Sequence, residues 1–141
     1  MKKNILFLCT GNSCRSQIAE AWLRHLKPTK FNAYSAGIKQ HGLNAMAVQV
    51  MAEVDVDMSN HHSKSLDDLS AIKFDYVFTV CGHAHETCPY FPGSAQVIHV
   101  GFDDPPKLAE SMTDKENILG CYRRVRDEIR QFIEHIDTYL T

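Results

Sequence analysis

The sequence predicts a single α/β domain in three layers, with a central parallel sheet of about four strands flanked by helices. Three observations predict it: short apolar runs alternate with segments of helical period, each run closes at a polar or glycine-containing turn, and no repeat or linker composition interrupts the 141 residues. A strand, helix, strand, helix order pairs its strands in parallel. The length suffices to bury a core without staples.

Ile5-Leu6-Phe7-Leu8 is the first strand, and it runs into the loop Cys9-Thr10-Gly11-Asn12-Ser13-Cys14-Arg15-Ser16. The pattern Ile18, Ala19, Trp22, Leu23, Leu26 predicts a helix over 17–26, closed by Pro28. A second strand spans 31–37 and ends at Gly37. Gly42-Leu43-Asn44 offers a cap for a second helix carrying Ala47, Val48, Val50, Met51 and Val54, and 57–63 is a polar connection. Ser65-x-x-Asp68 has the form of a capping box before a short helical turn. Strands are predicted at 76–80 and 96–100. The stretch 101–107 reads as loop, because consecutive prolines suit neither a helix interior nor a central strand. Thr113-x-x-Glu116 is a second capping box, and Ile118, Tyr122, Val125, Ile129, Phe132, Ile133, Ile136 and Leu140 make a core-facing stripe.

Hydrophobic residues form 44% and charged residues 23% of the chain, an ordinary globular balance. A formal net charge of -2 leaves no basic footprint, so neither nucleic acid nor an anionic membrane is an expected partner. No signal-peptide pattern or membrane-length apolar run is present, and a cytoplasmic monomer is expected. There its five cysteines stay reduced at rest, so a disulfide among them reads as transient and catalytic.

The loop between the first strand and the first helix carries the chemistry. A helix N-terminus presents unpaired N–H groups and a partial positive charge, which together with a wrapped loop make a nest for a tetrahedral oxyanion. Thr10, Gly11, Asn12, Ser13, Cys14 and Arg15 form that nest, with the Arg15 guanidinium as a bidentate fork. Cys9 lies in the same field, which favours its thiolate, and Ser16 is placed to donate a hydrogen bond to it. An activated sulfur beside an oxyanion site predicts attack on the central atom of a phosphate-like group.

Ligands of such sheets bind beyond the carboxyl ends of the strands, where Cys9, Cys81 and the Asp103-Asp104 loop all fall. Asp103 or Asp104 is the candidate general acid for the departing oxygen, and the residues alone favour neither. Cys81 and Cys88 are separated by a segment with Gly82 inside it and Pro89 after it, a weak helix that must loop out for the two to bond. They are a candidate redox switch. No metal is expected: His83, His85 and His99 accompany the cysteines, but the Cys spacing lacks the short knuckles of structural zinc. Cys121 reads as packing and Cys14 as loop structure.

The loop Cys9 to Ser16, with Tyr34-Ser35-Ala36-Gly37, Cys81, Cys88 and Gly101-Phe102-Asp103-Asp104-Pro105-Pro106, resembles the thioredoxin-coupled arsenate reductases built on the low-molecular-weight tyrosine phosphatase fold. The resemblance runs nearly end to end. It implies a phosphatase-like four-stranded sheet and places the acid at Asp104. It implies arsenate as substrate, with phosphate or sulfate as analogues, and attack on arsenic by Cys9. A Cys9, Cys81, Cys88 disulfide relay then follows, returned to thiols by reduced thioredoxin with no bound cofactor. Some members of the family hold potassium through residues that match Asn12, Glu20 and Ser35 and an acidic residue. That fourth position is Lys64 here, so potassium is not expected.

Overall fold

The computed structural model describes residues 2–81 and 93–140. Its centre is a parallel sheet of four strands, β1 (Lys3–Cys9), β2 (Phe31–Gly37), β3 (Tyr76–Thr79) and β4 (Gln96–His99), in the spatial order β2-β1-β3-β4. Because β1 is central, its side chains are buried on both faces: Ile5 and Phe7 join one core cluster, Leu6 and Leu8 the other. That two-sided burial is why the run reads as continuously apolar rather than alternating. The four strands, their order in the chain and the flanking helices agree with the sequence reading.

The larger core lies under α1 (Arg15–Leu26), α2 (Ala45–Ala52) and α4 (Lys115–Glu134). Phe132 of α4 is its aromatic hub, edge-on to Phe78 at 5.2 Å and to Phe7 at 6.3 Å. The second face is covered, among the described residues, by the segment around a 3-10 turn at Leu66–Leu69, with Phe74 edge-on to Tyr34 at 5.5 Å. Asp68 accepts from the Ser65 N–H at 3.0 Å, as the capping-box spacing predicts.

Three local readings are corrected. The stretch after β4 is not all loop: Pro105–Leu108 forms a short helix, α3, with Pro105 in its first turn, where no N–H bond is required of proline. The cap of α4 is Asp114, whose carboxylate accepts from Asn117 N, rather than Thr113. The stripe also breaks at His135, after which Ile136–Tyr139 is a separate 3-10 turn. Lesser differences are of boundary: α1 begins at Arg15 rather than residue 17, and α2 ends at Ala52. The first of these matters, since it puts Arg15 and Ser16 inside the helix that closes the loop.

Candidate active site

β1 ends at Cys9 and α1 begins at Arg15, so five residues cross from the sheet edge to the helix. No side chain caps α1 and no acidic residue stands in its first turn, so no carboxylate of the helix itself competes for its N-terminal field. Asn12 takes the left-handed conformation, φ 49°, which turns the loop over the helix start. Chain beyond β2 then folds back along the loop's outer edge: Lys39 N donates to Thr10 O, His41 N to Gly11 O and Asn44 N to Ser13 O, at 2.9 to 3.1 Å.

The result is a cavity of about 490 Å³ lined by Cys9, Thr10, Gly11, Ser13, Cys14, Arg15, His41, Asp104 and Pro106. Cys9 is buried, its sulfur 2.9 Å from Ser16 Oγ. Arg15 is 6% exposed; one guanidinium nitrogen donates to Phe102 O at 2.9 Å and Nε lies 3.6 Å from Asp104 Oδ1. The other Asp of the pair faces elsewhere: Asp103 bonds Arg124 at 3.1 Å on the surface. Geometry therefore brings Asp104, and not Asp103, into the cavity.

Burial, then the Asp104 carboxylate, push the Cys14 thiol far above its usual range. Two cysteines five residues apart thus stand in different surroundings, Cys14 where burial disfavours its thiolate and Cys9 hydrogen-bonded to the Ser16 hydroxyl. Cys81 follows β3, the strand paired with β1 in the register Leu8↔Thr79, and Val80 N donates to Leu8 O at 3.1 Å. The register sets Cys9 opposite Val80, so Cys81 lies one residue beyond it at the same carboxyl end of the sheet. Cys81 is buried and disulfide-bonded, while Cys9, Cys14 and Cys121 are free. Cys88, His83 and His85 lie outside the described residues. His99 is hydrogen-bonded to Thr79 at 2.8 Å, and Cys121 packs its sulfur 3.7 Å from that of Met112.

Behind the loop, Glu20 is a buried carboxylate with an unusual number of partners. Ser35 donates to it at 2.5 Å, and Arg24 lies 3.1 Å, Lys64 Nζ 3.5 Å and His61 Nδ1 3.7 Å from it. The Lys64 ammonium therefore stands among the residues the resemblance associates with potassium. Among the described residues no group of three His, Cys, Asp or Glu side chains is arranged to hold a metal.

His41 is a cavity residue that sequence reading did not single out. Its ring covers Gly11 so closely that any Cβ there would overlap it. Gly37 is constrained likewise by backbone: a Cβ would lie 2.7 Å from Thr10 O and 2.8 Å from Asn12 N. Gly37→Ala is expected to lower stability by roughly 1–3 kcal/mol, read as a drop in the urea midpoint, and to weaken phosphate binding with it, because the same atoms shape the loop.

The sequence profile of the low molecular weight phosphotyrosine protein phosphatases matches residues 4–140. A protein of Halalkalibacterium halodurans named arsenate reductase is 48% identical over 133 residues, which are 94% of each chain. Among solved structures, an arsenate reductase in the phosphate binding state superposes with a TM-score of 0.73 at 26% identity, covering 99% of both chains. The thioredoxin-dependent arsenate reductase of Corynebacterium glutamicum superposes at 0.66 and 25% identity, over 98% of this chain and 63% of its own. Among the described residues no helix is long and apolar enough to cross a membrane.

Proposed function

The chain belongs to the low molecular weight phosphotyrosine protein phosphatase family, and from that membership, with its 48% identity to an arsenate reductase, we propose that it reduces arsenate to arsenite. The observation that carries this reading is that a second cysteine with redox chemistry stands at the same end of the sheet as the oxyanion cavity: Cys9 lines the cavity, and Cys81, which is disulfide-bonded, follows the neighbouring strand. Phosphate-ester hydrolysis needs only the first.

In the proposed reaction arsenate sits on the loop N–H groups and the Arg15 fork. The Cys9 thiolate, stabilised by Ser16, attacks arsenic, and Asp104 gives its proton to the departing oxygen, which leaves as water. The Cys81 thiolate then attacks the Cys9 sulfur. A Cys9–Cys81 disulfide forms, the electron pair of the sulfur–arsenic bond stays on arsenic, and arsenite leaves. Cys88 attacks Cys81 in turn, which frees Cys9 as a thiolate and moves the disulfide to Cys81 and Cys88. Reduced thioredoxin takes that disulfide, and the cytoplasm is the compartment in which it would be supplied. A weak phosphatase activity follows from the shared first half, with phosphate in place of arsenate.

The test is arsenate-dependent NADPH oxidation with thioredoxin and thioredoxin reductase present, comparing wild type with Cys88→Ser. Sustained turnover by the wild type and a stop after about one equivalent in the variant are expected. Rapid aryl phosphate hydrolysis without arsenate-dependent turnover would mark the protein as a phosphatase instead.

Potassium does not fit this chain. The Lys64 ammonium at 3.5 Å and the Arg24 guanidinium at 3.1 Å already neutralise Glu20, so a further cation adds repulsion rather than charge balance. Turnover and melting temperature are expected to be equal in sodium and potassium salts of the same ionic strength. A potassium-specific rise in either contradicts this.

A further inference from the structure

The hydrogen bond between Ser16 and Cys9 is backed by side chains that do not touch the sulfur. Cys9, Asn12, Ser16 and Gln17 are all buried, the last three fully. The backbone N–H of Lys64 lies 2.7 Å from Asn12 Oδ1, and an N–H can only donate, so that end of the Asn12 amide is its oxygen. The other end is then the nitrogen, and it donates to Ser16 Oγ at 2.9 Å. Ser16 has one proton to give, and its remaining partner is Cys9 Sγ at 2.9 Å. Asn12 thus fills one lone pair of Ser16 Oγ and leaves the Ser16 proton for a thiolate at Cys9.

Gln17 holds Asn12 in that orientation from both sides of the residue. Its Nε2 lies 3.0 Å from Asn12 Oδ1 and 3.2 Å from the Asn12 carbonyl oxygen, gripping side chain and left-handed backbone together. The same nitrogen lies 2.8 Å from His62 O. Carbonyl oxygens can only accept, so this end of Gln17 is its nitrogen, and Oε1 at the far end accepts from His61 Nδ1 at 2.9 Å. His61 is thereby required to carry a proton on Nδ1. The cluster runs His61 to Gln17 to Asn12 to Ser16 to Cys9, each link donating toward the sulfur.

We propose that Gln17 is a positioning residue for the nucleophile: by orienting Asn12 it commits the Ser16 proton to Cys9 and so favours the thiolate. This rests on the reading of Cys9 as the reacting sulfur. Gln17 touches no substrate; its effect passes through Asn12 and Ser16.

The test measures the rate of Cys9 alkylation by iodoacetamide against pH, read by mass spectrometry at the Cys9 peptide, in the reduced full-length protein. Wild type, Gln17→Met, Ser16→Ala and the double variant are compared. Gln17→Met keeps the side-chain length and removes both polar ends. Loss of one orienting hydrogen bond is expected to slow alkylation about fivefold at pH 6.5, with the rates converging at alkaline pH where every thiol is ionised. In the Ser16→Ala background the same change is expected to slow nothing further, because the proton it directs is gone. A Gln17→Met profile that overlays wild type overturns the proposal, and so does a fivefold effect that persists without Ser16. If Gln17→Met fails to fold, Gln17→Ala is judged by the same two criteria. Arsenate is absent from this assay, so loss of the reductase reading would show only as failure of wild-type arsenate turnover.

Discussion

Cys9→Ser is expected to abolish arsenate reduction, a loss on the order of 10⁴-fold or more, while leaving the oxyanion site able to bind. Two features of the structure separate the effects. The hydroxyl that replaces the thiol remains protonated at neutral pH, even beside Ser16 at 2.9 Å, and so is a far weaker nucleophile. Binding depends on other atoms: the Arg15 fork, anchored on Phe102 O, and the uncapped start of α1. Phosphate affinity measured by calorimetry should therefore stay within about threefold of wild type, a difference of well under 1 kcal/mol. Strong loss of both turnover and affinity would mean that the sulfur also shapes the loop. The native Cys14 thiol is not expected to replace the lost nucleophile, because burial and the Asp104 carboxylate both oppose its ionisation.

Asp104→Asn is expected to lower kcat by about 10²–10³-fold, the usual worth of a positioned general acid. KM should fall or hold, since the carboxylate 3.6 Å from Arg15 Nε competes with the bound anion for the same guanidinium. The sign of the pH dependence follows from the role. A general acid acts in its protonated form, so wild-type rate falls as pH rises through its titration, and the variant, which has no such proton, loses that alkaline limb. Leaving group supplies an independent check: for the phosphatase side reaction, an aryl phosphate with an acidic phenol should lose much less than an alkyl phosphate, because a stable leaving anion needs no proton. Asp103→Asn is the matched control. Its carboxylate is paired with Arg124 on the surface, and breaking that exposed pair should change turnover little.

Most of the fold was legible from local pattern. β1 reads as a strand because both its faces are buried, and α4 reads as a helix because Tyr122, Val125, Ile129 and Phe132 recur with its period. The misreadings were of punctuation. Thr113 and Asp114 are both good caps, and which of them receives the helix depends on how the chain enters from α3, not on either side chain. The Pro105-Pro106 pair excludes a helix interior but suits a helix start, and only the turn of the preceding loop chooses between these.

The site divides along the same line. By itself the sequence determined the contiguous parts: a loop from Cys9 to Ser16 between a strand and a helix, whose glycine, arginine and serine stand at spacings set by the backbone of that turn. Those relations are local, and local geometry is what residue order encodes most directly. The tertiary structure alone decided the parts that meet across the chain. It seated His41 over Gly11 and threaded His61 and Gln17 into the bonds behind Asn12, and it gave contacts to what the resemblance had only implied, Asp104 rather than its neighbour toward Arg15 and Lys64 against Glu20. Each of these is a contact between groups brought close by the packing of separate elements, and a side chain's direction there is set by which buried donor or acceptor would otherwise be left unpaired.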